Sequence, residues 1–304
     1  MSAKALLPLT LVLSACAYLP PPVKEPEPLP ERELITAQQW AQTCTEFDDW
    51  DKPAAPYRIH GSTYYVGTCG IAAILIAGDG GHILIDSGTE KGADVVIQNI
   101  RKLGFRLNEV ASILHSHEHF DHVGGHAKLR AATGAHVHAS PEAAKVLPTG
   151  EDHPDDPQFG MHEPMAPVQV DVIVPSGQSV RTEDASVTAI ATPGHTPGAL
   201  SWTWQSCEAD GTDCRQIVYA DSLSPISSET YRFSDHPDYL AAFREGLGRL
   251  AATPCDILLT PHPSASQMVK RAASGSFVGG MSCGEYAASI TARLDQRLAE
   301  EKGQ

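Results

Sequence analysis

Short apolar runs bounded by Gly, Pro and Asp recur along most of the chain and switch between two-residue and helical spacing. Residues 63–67, 71–76 and 82–85 predict strands, the last running into Asp86-Ser87-Gly88. Val95, Ile97, Ile100 and Leu103 give residues 93–103 a helical stripe, and residues 110–114 read as a strand entering a histidine-rich loop. A helix over 124–133, a strand over 135–139 and a short helix over 141–147 follow. The second half repeats the strand-rich texture at 169–174, 186–191, 199–205 and 216–220. It closes with a helix over 239–250, a strand over 256–260 and a helix over 284–301 striped by Tyr286, Ile290, Leu294 and Leu298. A short helix over 37–43 and a loop over 50–58 precede all of these. Strands in both halves with helices between them suggest two sheets, each covered on its outer face.

Two segments break the pattern. Residues 148–167 are rich in Pro, Asp, Gly and His, too polar for core and long for a connector, and are expected to form a surface loop near a site. At the start, Lys4 precedes a short apolar stretch over 5–13 that is too brief to span a bilayer, the composition of an export signal. Leu13-Ser14-Ala15-Cys16 resembles a lipoprotein cleavage box with Cys16 as the lipidated residue; ordinary cleavage within Ala15-Cys16-Ala17 is the alternative. Residues 18–33, dominated by Pro, Glu and Leu, read as a stiff tether. The expected organisation is therefore a signal over 1–15, a tether over 16–33 and a folded domain over 34–304, exported to the periplasm.

A 304-residue chain with 42% hydrophobic residues can bury a sizeable core. Its net charge of −15, with no basic run, excludes nucleic acid as a partner, because phosphate binding needs clustered Lys and Arg. With Cys16 spent on lipid, Cys44, Cys69, Cys207, Cys214, Cys255 and Cys283 remain. An even number in an oxidising compartment points to disulfides, and their spacing lacks the close Cys pairs of a zinc finger. Six cysteines can pair in many ways, although Cys207 and Cys214 flank a segment that closes easily.

Candidate chemistry lies in histidine. His115-Ser116-His117-Glu118-His119-Phe120-Asp121-His122 packs four imidazoles and two carboxylates into one short run. Zinc takes such donors when thiolates are tied up. His117 and His119, one residue apart, can face one metal, whereas Asp121 and His122 diverge from them and suit a second. Two further histidines share a local grammar, a strand end followed by a Pro- or Gly-bounded His: His195 in Thr192-Pro193-Gly194-His195, and His262 in Thr260-Pro261-His262-Pro263. Rigid sheets would then present all the ligands from one rim. His115 is ambiguous, and His60, His82, His126, His136, His138, His153, His162 and His236 are read as ordinary surface or core residues. Asp86 is either a loop-capping carboxylate or a group that orients a histidine.

His117-x-His119-x-Asp121-His122, with His195 and His262, resembles the metallo-β-lactamase superfamily. Residues 64–67, 82–86, 116–125, 192–198, 201–203, 219–224 and 254–263 look like those of subclass B3 β-lactamases. The resemblance implies an αββα sandwich of two mixed sheets flanked by helices, with two zinc ions at one edge. It places His117, His119 and His195 on the first zinc, and Asp121, His122 and His262 on the second. Asp121 would also orient the nucleophile, a metal-bound hydroxide that opens the β-lactam amide. Ser222 and Ser224 would face the substrate carboxylate, and Tyr231 is a candidate to help an oxyanion. The resemblance further implies the pairs Cys44–Cys69, Cys207–Cys214 and Cys255–Cys283, and a monomer is expected. A lactonase or thioesterase on the same scaffold is the nearest rival, since many such relatives bridge their metals with an Asp near the position of Asp221. A zinc-binding lipoprotein without catalysis is the rival of another class.

Overall fold

A computed structural model describes Met1 and residues 34–303. The export signal, Cys16 and the tether lie outside the described residues. Seven strands form one mixed sheet in sequence order: β1 (Tyr57–His60), β2 (Thr63–Tyr65), β3 (Ile74–Ile76), β4 (His82–Ile85), β5 (Val110–Leu114), β6 (His136–Ala139) and β7 (Val172–Ile173). The pairings are antiparallel from β1 to β4 and parallel from β4 to β7. The second sheet holds β8 (Ser179–Arg181), β9 (Ser186–Ala191), β10 (Leu200–Ser206), β11 (Arg215–Tyr219) and β12 (Ile257–Leu259), in the order β12-β11-β10-β9-β8. Its first four strands are antiparallel and β12 joins β11 in parallel.

Period-two alternation explains the layering. Ile74, Ile76, Ile83, Ile85 and Leu114 face the second sheet, where Trp202, Trp204, Ile217, Tyr219, Ile257 and Leu259 meet them in one core. Their neighbours Leu75, Leu84 and Ile113 point outward under α2 (Gly92–Lys102) and α4 (His126–Thr133). Val218 and Leu258 point outward from the other sheet under α6 (Pro237–Ala251) and α8 (Cys283–Lys302). Both faces of the central strands are thus buried, which is why they read as continuous apolar runs. The result is the expected αββα sandwich of helix, sheet, sheet and helix.

The expected loop over 50–58 gives way at its end to β1, where Tyr57 stacks on Tyr65 with ring centroids 5.1 Å apart. The strand expected over 71–76 begins only at Ile74, because Ala72 N donates to Pro261 O across the sandwich. Two elements carried no clear pattern: β8, three residues long, and the helix Met268–Ser274. Residues 148–167 form a loop as expected, yet His153, Asp156 and Gln158 within it are buried.

Candidate metal centre

The functional side chains leave the sheets at the C-terminal ends of their strands. Asp86 follows β4, His117 follows β5, His195 follows β9, Asp221 follows β11 and His262 follows β12. Backbone geometry at these exits is unusual where it has to be. Asp86 has φ +64° and its carboxylate accepts from Ser116 N at 2.6 Å and Ser116 Oγ at 2.7 Å, clamping the start of the histidine loop. Gly194 has φ +152°, and a Cβ there would lie 2.3 Å from the Phe243 ring on α6, so only glycine fits before His195.

His117, His119 and His195 bring ligand atoms within 4.8 Å of one another, and so do His117, Asp121 and His122. His262 completes the second group, its Nε2 standing 3.2 Å from His122 Nε2 and 3.4 Å from Asp121 Oδ2. Asp121 and His122 lie on α3 (Phe120–Val123), a single turn capped by His119, so their side chains leave it on a different side from the His117–His119 pair. Six donors from three stretches of the chain therefore share one cleft.

Each imidazole of the first group has one nitrogen spoken for. His117 Nδ1 sits 2.8 Å from Asp221 Oδ1, His119 Nε2 sits 2.9 Å from Asp156 Oδ2, and His195 Nδ1 sits 2.9 Å from Ser224 O. A carbonyl or ionised carboxylate oxygen accepts, so each ring turns that nitrogen outward and leaves its other nitrogen for the cleft. His117 Nε2 is buried there with no hydrogen-bond partner. An orphaned basic nitrogen among further inward lone pairs is costly unless a cation sits between them. The donors present fit zinc, a borderline metal that accepts imidazole and carboxylate in tetrahedral sites.

Electrostatics differs from ligand to ligand: burial would lower His119, but the Asp156 carboxylate beside it raises it above its ordinary range. Burial pulls the His117 and His195 imidazoles well below their ordinary range, keeping them neutral. Burial would lower His122 too, but Asp121 and then Asp86 lift it to about 10. Asp121 resists the upward push of burial because His122 and His262 hold it well below the usual carboxylate range. Asp221, fully buried, is pushed up to about 8 by burial.

Several neighbours were not singled out from sequence. Asp156, the acceptor for His119, lies in the polar loop over 148–167 among other aspartates, with nothing in the pattern to mark it. Glu118 lies inside the motif but turns away from the cleft. It accepts from Thr196 Oγ1 at 2.6 Å and Gly198 N at 2.8 Å, tying the histidine loop to the His195 loop. Gln158 Nε2 approaches His195 Nε2 at 3.5 Å. His162, read as an ordinary residue, packs its ring 4.9 Å from that of His119. Trp50 forms a wall, with ring centroids 5.8 Å from His262 and 5.9 Å from Phe120. Asp86 fills the loop-capping role weighed for it through its clamp on Ser116, and its carboxylate also lies 3.5 Å from His122 Nδ1. His115 is structural: its Nε2 accepts from Ser140 N at 3.0 Å. Ser87 Oγ donates to His122 O at 2.9 Å and lies 2.8 Å from His126 Nδ1, bracing the loop from beneath.

Of the expected substrate contacts, Ser222 Oγ is buried without a partner, and Ser224 Oγ lies 3.2 Å from His195 Nδ1. Tyr231 stacks its ring on that of His236 with centroids 4.4 Å apart. The six cysteines stand as Cys44–Cys69, Cys207–Cys214 and Cys255–Cys283.

An αββα sandwich with two adjoining His/Asp donor groups on one rim defines a metal-dependent hydrolase. The chain belongs to the metallo-β-lactamase superfamily, whose sequence profile matches residues 66–208. It is similar to the solved structure of the MIM-2 metallo-β-lactamase, at 53% identity over 88% of this chain and 98% of that one, with a TM-score of 0.83. It also resembles MEM-A1, a subclass B3 metallo-β-lactamase from a soil metagenome library, at 41% identity over 84% and 99% of the two chains, with a TM-score of 0.79. Among curated proteins, a hydroxyacylglutathione hydrolase of Rhodopseudomonas palustris is 29% identical over 54% of this chain and 51% of its own length. The chain spans about half the length of the curated relatives it matches.

Proposed function

We propose that this protein hydrolyses the amide bond of β-lactam antibiotics with two zinc ions, one held by His117, His119 and His195 and the other by Asp121, His122 and His262. The observation that carries the reading is the cleft itself, where two donor groups adjoin around the orphaned His117 Nε2. Bound zinc would supply Lewis acidity and an acidified water. Asp221, Asp156 and the Ser224 carbonyl fix which nitrogen of each first-group histidine faces inward. Asp121, next to both groups, would orient the attacking water and accept its proton. Ser222 and Ser224, on the turn that follows β11, would bind the substrate carboxylate.

Asp221 favours this reading over a thioesterase or lactonase that bridges its metals with an aspartate. Its Oδ1 is engaged by His117 and its Oδ2 accepts from Leu223 N at 3.1 Å. We further propose export to the periplasm, lipid attachment at Cys16, closure of the three disulfides there, and a monomeric state. Cell fractionation and palmitate labelling of wild type against Cys16→Ala test the location.

The decisive experiment uses a soluble form starting near Glu33, assayed on a chromogenic cephalosporin, a carbapenem, a lactone and a thioester. Turnover of the β-lactams should vanish with a strong chelator and return on added zinc, and His117→Ala or His262→Ala should lower kcat/KM by several orders of magnitude. Activity confined to the lactone or thioester would replace the substrate. Metal uptake without turnover of any of the four would leave a binding lipoprotein.

A further inference from the structure

Two of the three imidazoles in the first donor group take their orientation from one short turn. Asp221 Oδ1 holds His117 Nδ1, and three residues later Ser224 O holds His195 Nδ1. Between them Leu223 has φ +50°. A branched side chain in that left-handed region is strained and persists only where the surroundings fix it. The turn has an inner tie, Asp221 N donating to Ser201 Oγ at 3.0 Å. Its outer tie comes from a different layer. On α8 the Tyr286 hydroxyl lies 2.7 Å from Ser222 O and 3.0 Å from Asp221 O, sharing its proton between two carbonyls of the turn. Tyr286 is fully buried, in the core cluster that holds Val218, Leu223, Phe243 and Leu258.

The second donor group is fixed otherwise. Asp121 and His122 are set by α3 and Asp86, and His262 by the end of β12, where Thr260 Oγ1 donates to His262 O at 2.8 Å. Tyr286 takes part in none of these contacts.

We propose that Tyr286 is a positioning residue for the first metal site: by hydrogen-bonding the Asp221 and Ser222 carbonyls from α8, it fixes the strained turn that aims His117 and His195. It thereby sets the metal affinity of that site and leaves the second site untouched. This inference rests on the reading of His117, His119 and His195 as metal ligands.

Tyr286→Phe keeps the ring and removes only the hydroxyl. Each site is isolated by deleting a ligand of the other, with His262→Ala leaving the first group intact and His195→Ala the second. Metal-free protein is titrated with zinc against a chromophoric chelator. In the His262→Ala background, Tyr286→Phe should weaken zinc binding about tenfold, the scale of lost outer contacts to metal ligands. In the His195→Ala background it should change nothing. Ile290→Val, which trims packing on the same helix and spares the hydroxyl, should leave both affinities unchanged, so a merely loosened helix does not imitate the effect. Unchanged binding in the His262→Ala background, or equal weakening in both, overturns the role of Tyr286. A wild-type protein that takes up no zinc overturns the metal-site reading itself.

Discussion

A neutral imidazole has one proton for two nitrogens, so whatever accepts that proton decides which lone pair is left for a metal. For His119 the acceptor is Asp156, whose other oxygen accepts from Gln158 N at 2.7 Å. The carboxylate is buried and immobilised by its own loop. Asp156→Ala should weaken zinc binding by about 10- to 100-fold. Activity should fall steeply when zinc is limiting and recover largely when zinc is in excess. Metal content after dialysis, with initial rates at graded zinc, checks this; equal zinc retention by both proteins would sink it. The six candidate donors were legible in the sequence because four of them crowd into one short run and His195 and His262 each follow a strand end. Asp86 apart, most of the residues that orient them were not. Asp156, Glu118 and Tyr286 reach their partners across 37, 78 and 65 residues respectively. No local pattern encodes such pairings, which exist only once the loops have packed.

Elements were legible where both faces of a strand or one face of a helix are buried, because burial imposes the periodicity that is read. β4, β5, β9 and β12 announce themselves as apolar runs for that reason, and they are the strands that deliver the site. β1 was hidden because its four residues include Arg58, which faces outward and pairs with Glu208. Edge strands such as β8 keep too few buried positions to show a period. The packing of α8 is likewise partly visible, in its stripe, and partly not, in its cross-link. Cys255–Cys283 ties the start of α8 to the residue just before Asp256 and β12, closing a separation of 28 residues. Replacing both cysteines by serine should cost about 2–4 kcal/mol of stability through the freer unfolded chain. Turnover well below the unfolding transition should persist, because Tyr286, Ile290 and Leu294 still bury α8 against the sheet. Urea unfolding of the oxidised wild type and the double variant measures the loss; coincident midpoints would show that the cross-link carries none of the stability.

Across the whole molecule, burial of histidines away from the cleft makes the fold sensitive to acid in a defined window. His138 on β6 is 9% exposed, and burial, with help from His136, pulls it down to about 4. Burial takes His126 lower still, to about 3. An unfolded chain binds protons at these positions from pH 6.5 downward while the folded chain refuses them, so stability rises with pH there. The contribution is therefore fully present above pH 6.5 and is lost as pH falls toward about 4, at up to about 1.4 kcal/mol per pH unit for each such group. His138→Phe keeps an apolar ring at a buried site and removes the titration. Its stability should match wild type to within about 1.5 kcal/mol at pH 7.5. Toward pH 5 it should fall less steeply than wild type. Because both proteins keep the same six donors, metal release cancels in the difference between them. Urea unfolding of the pair at pH 7.5, 6 and 5 gives that difference directly, and parallel pH profiles would mean that His138 takes up its proton as readily in the folded chain as in the unfolded one.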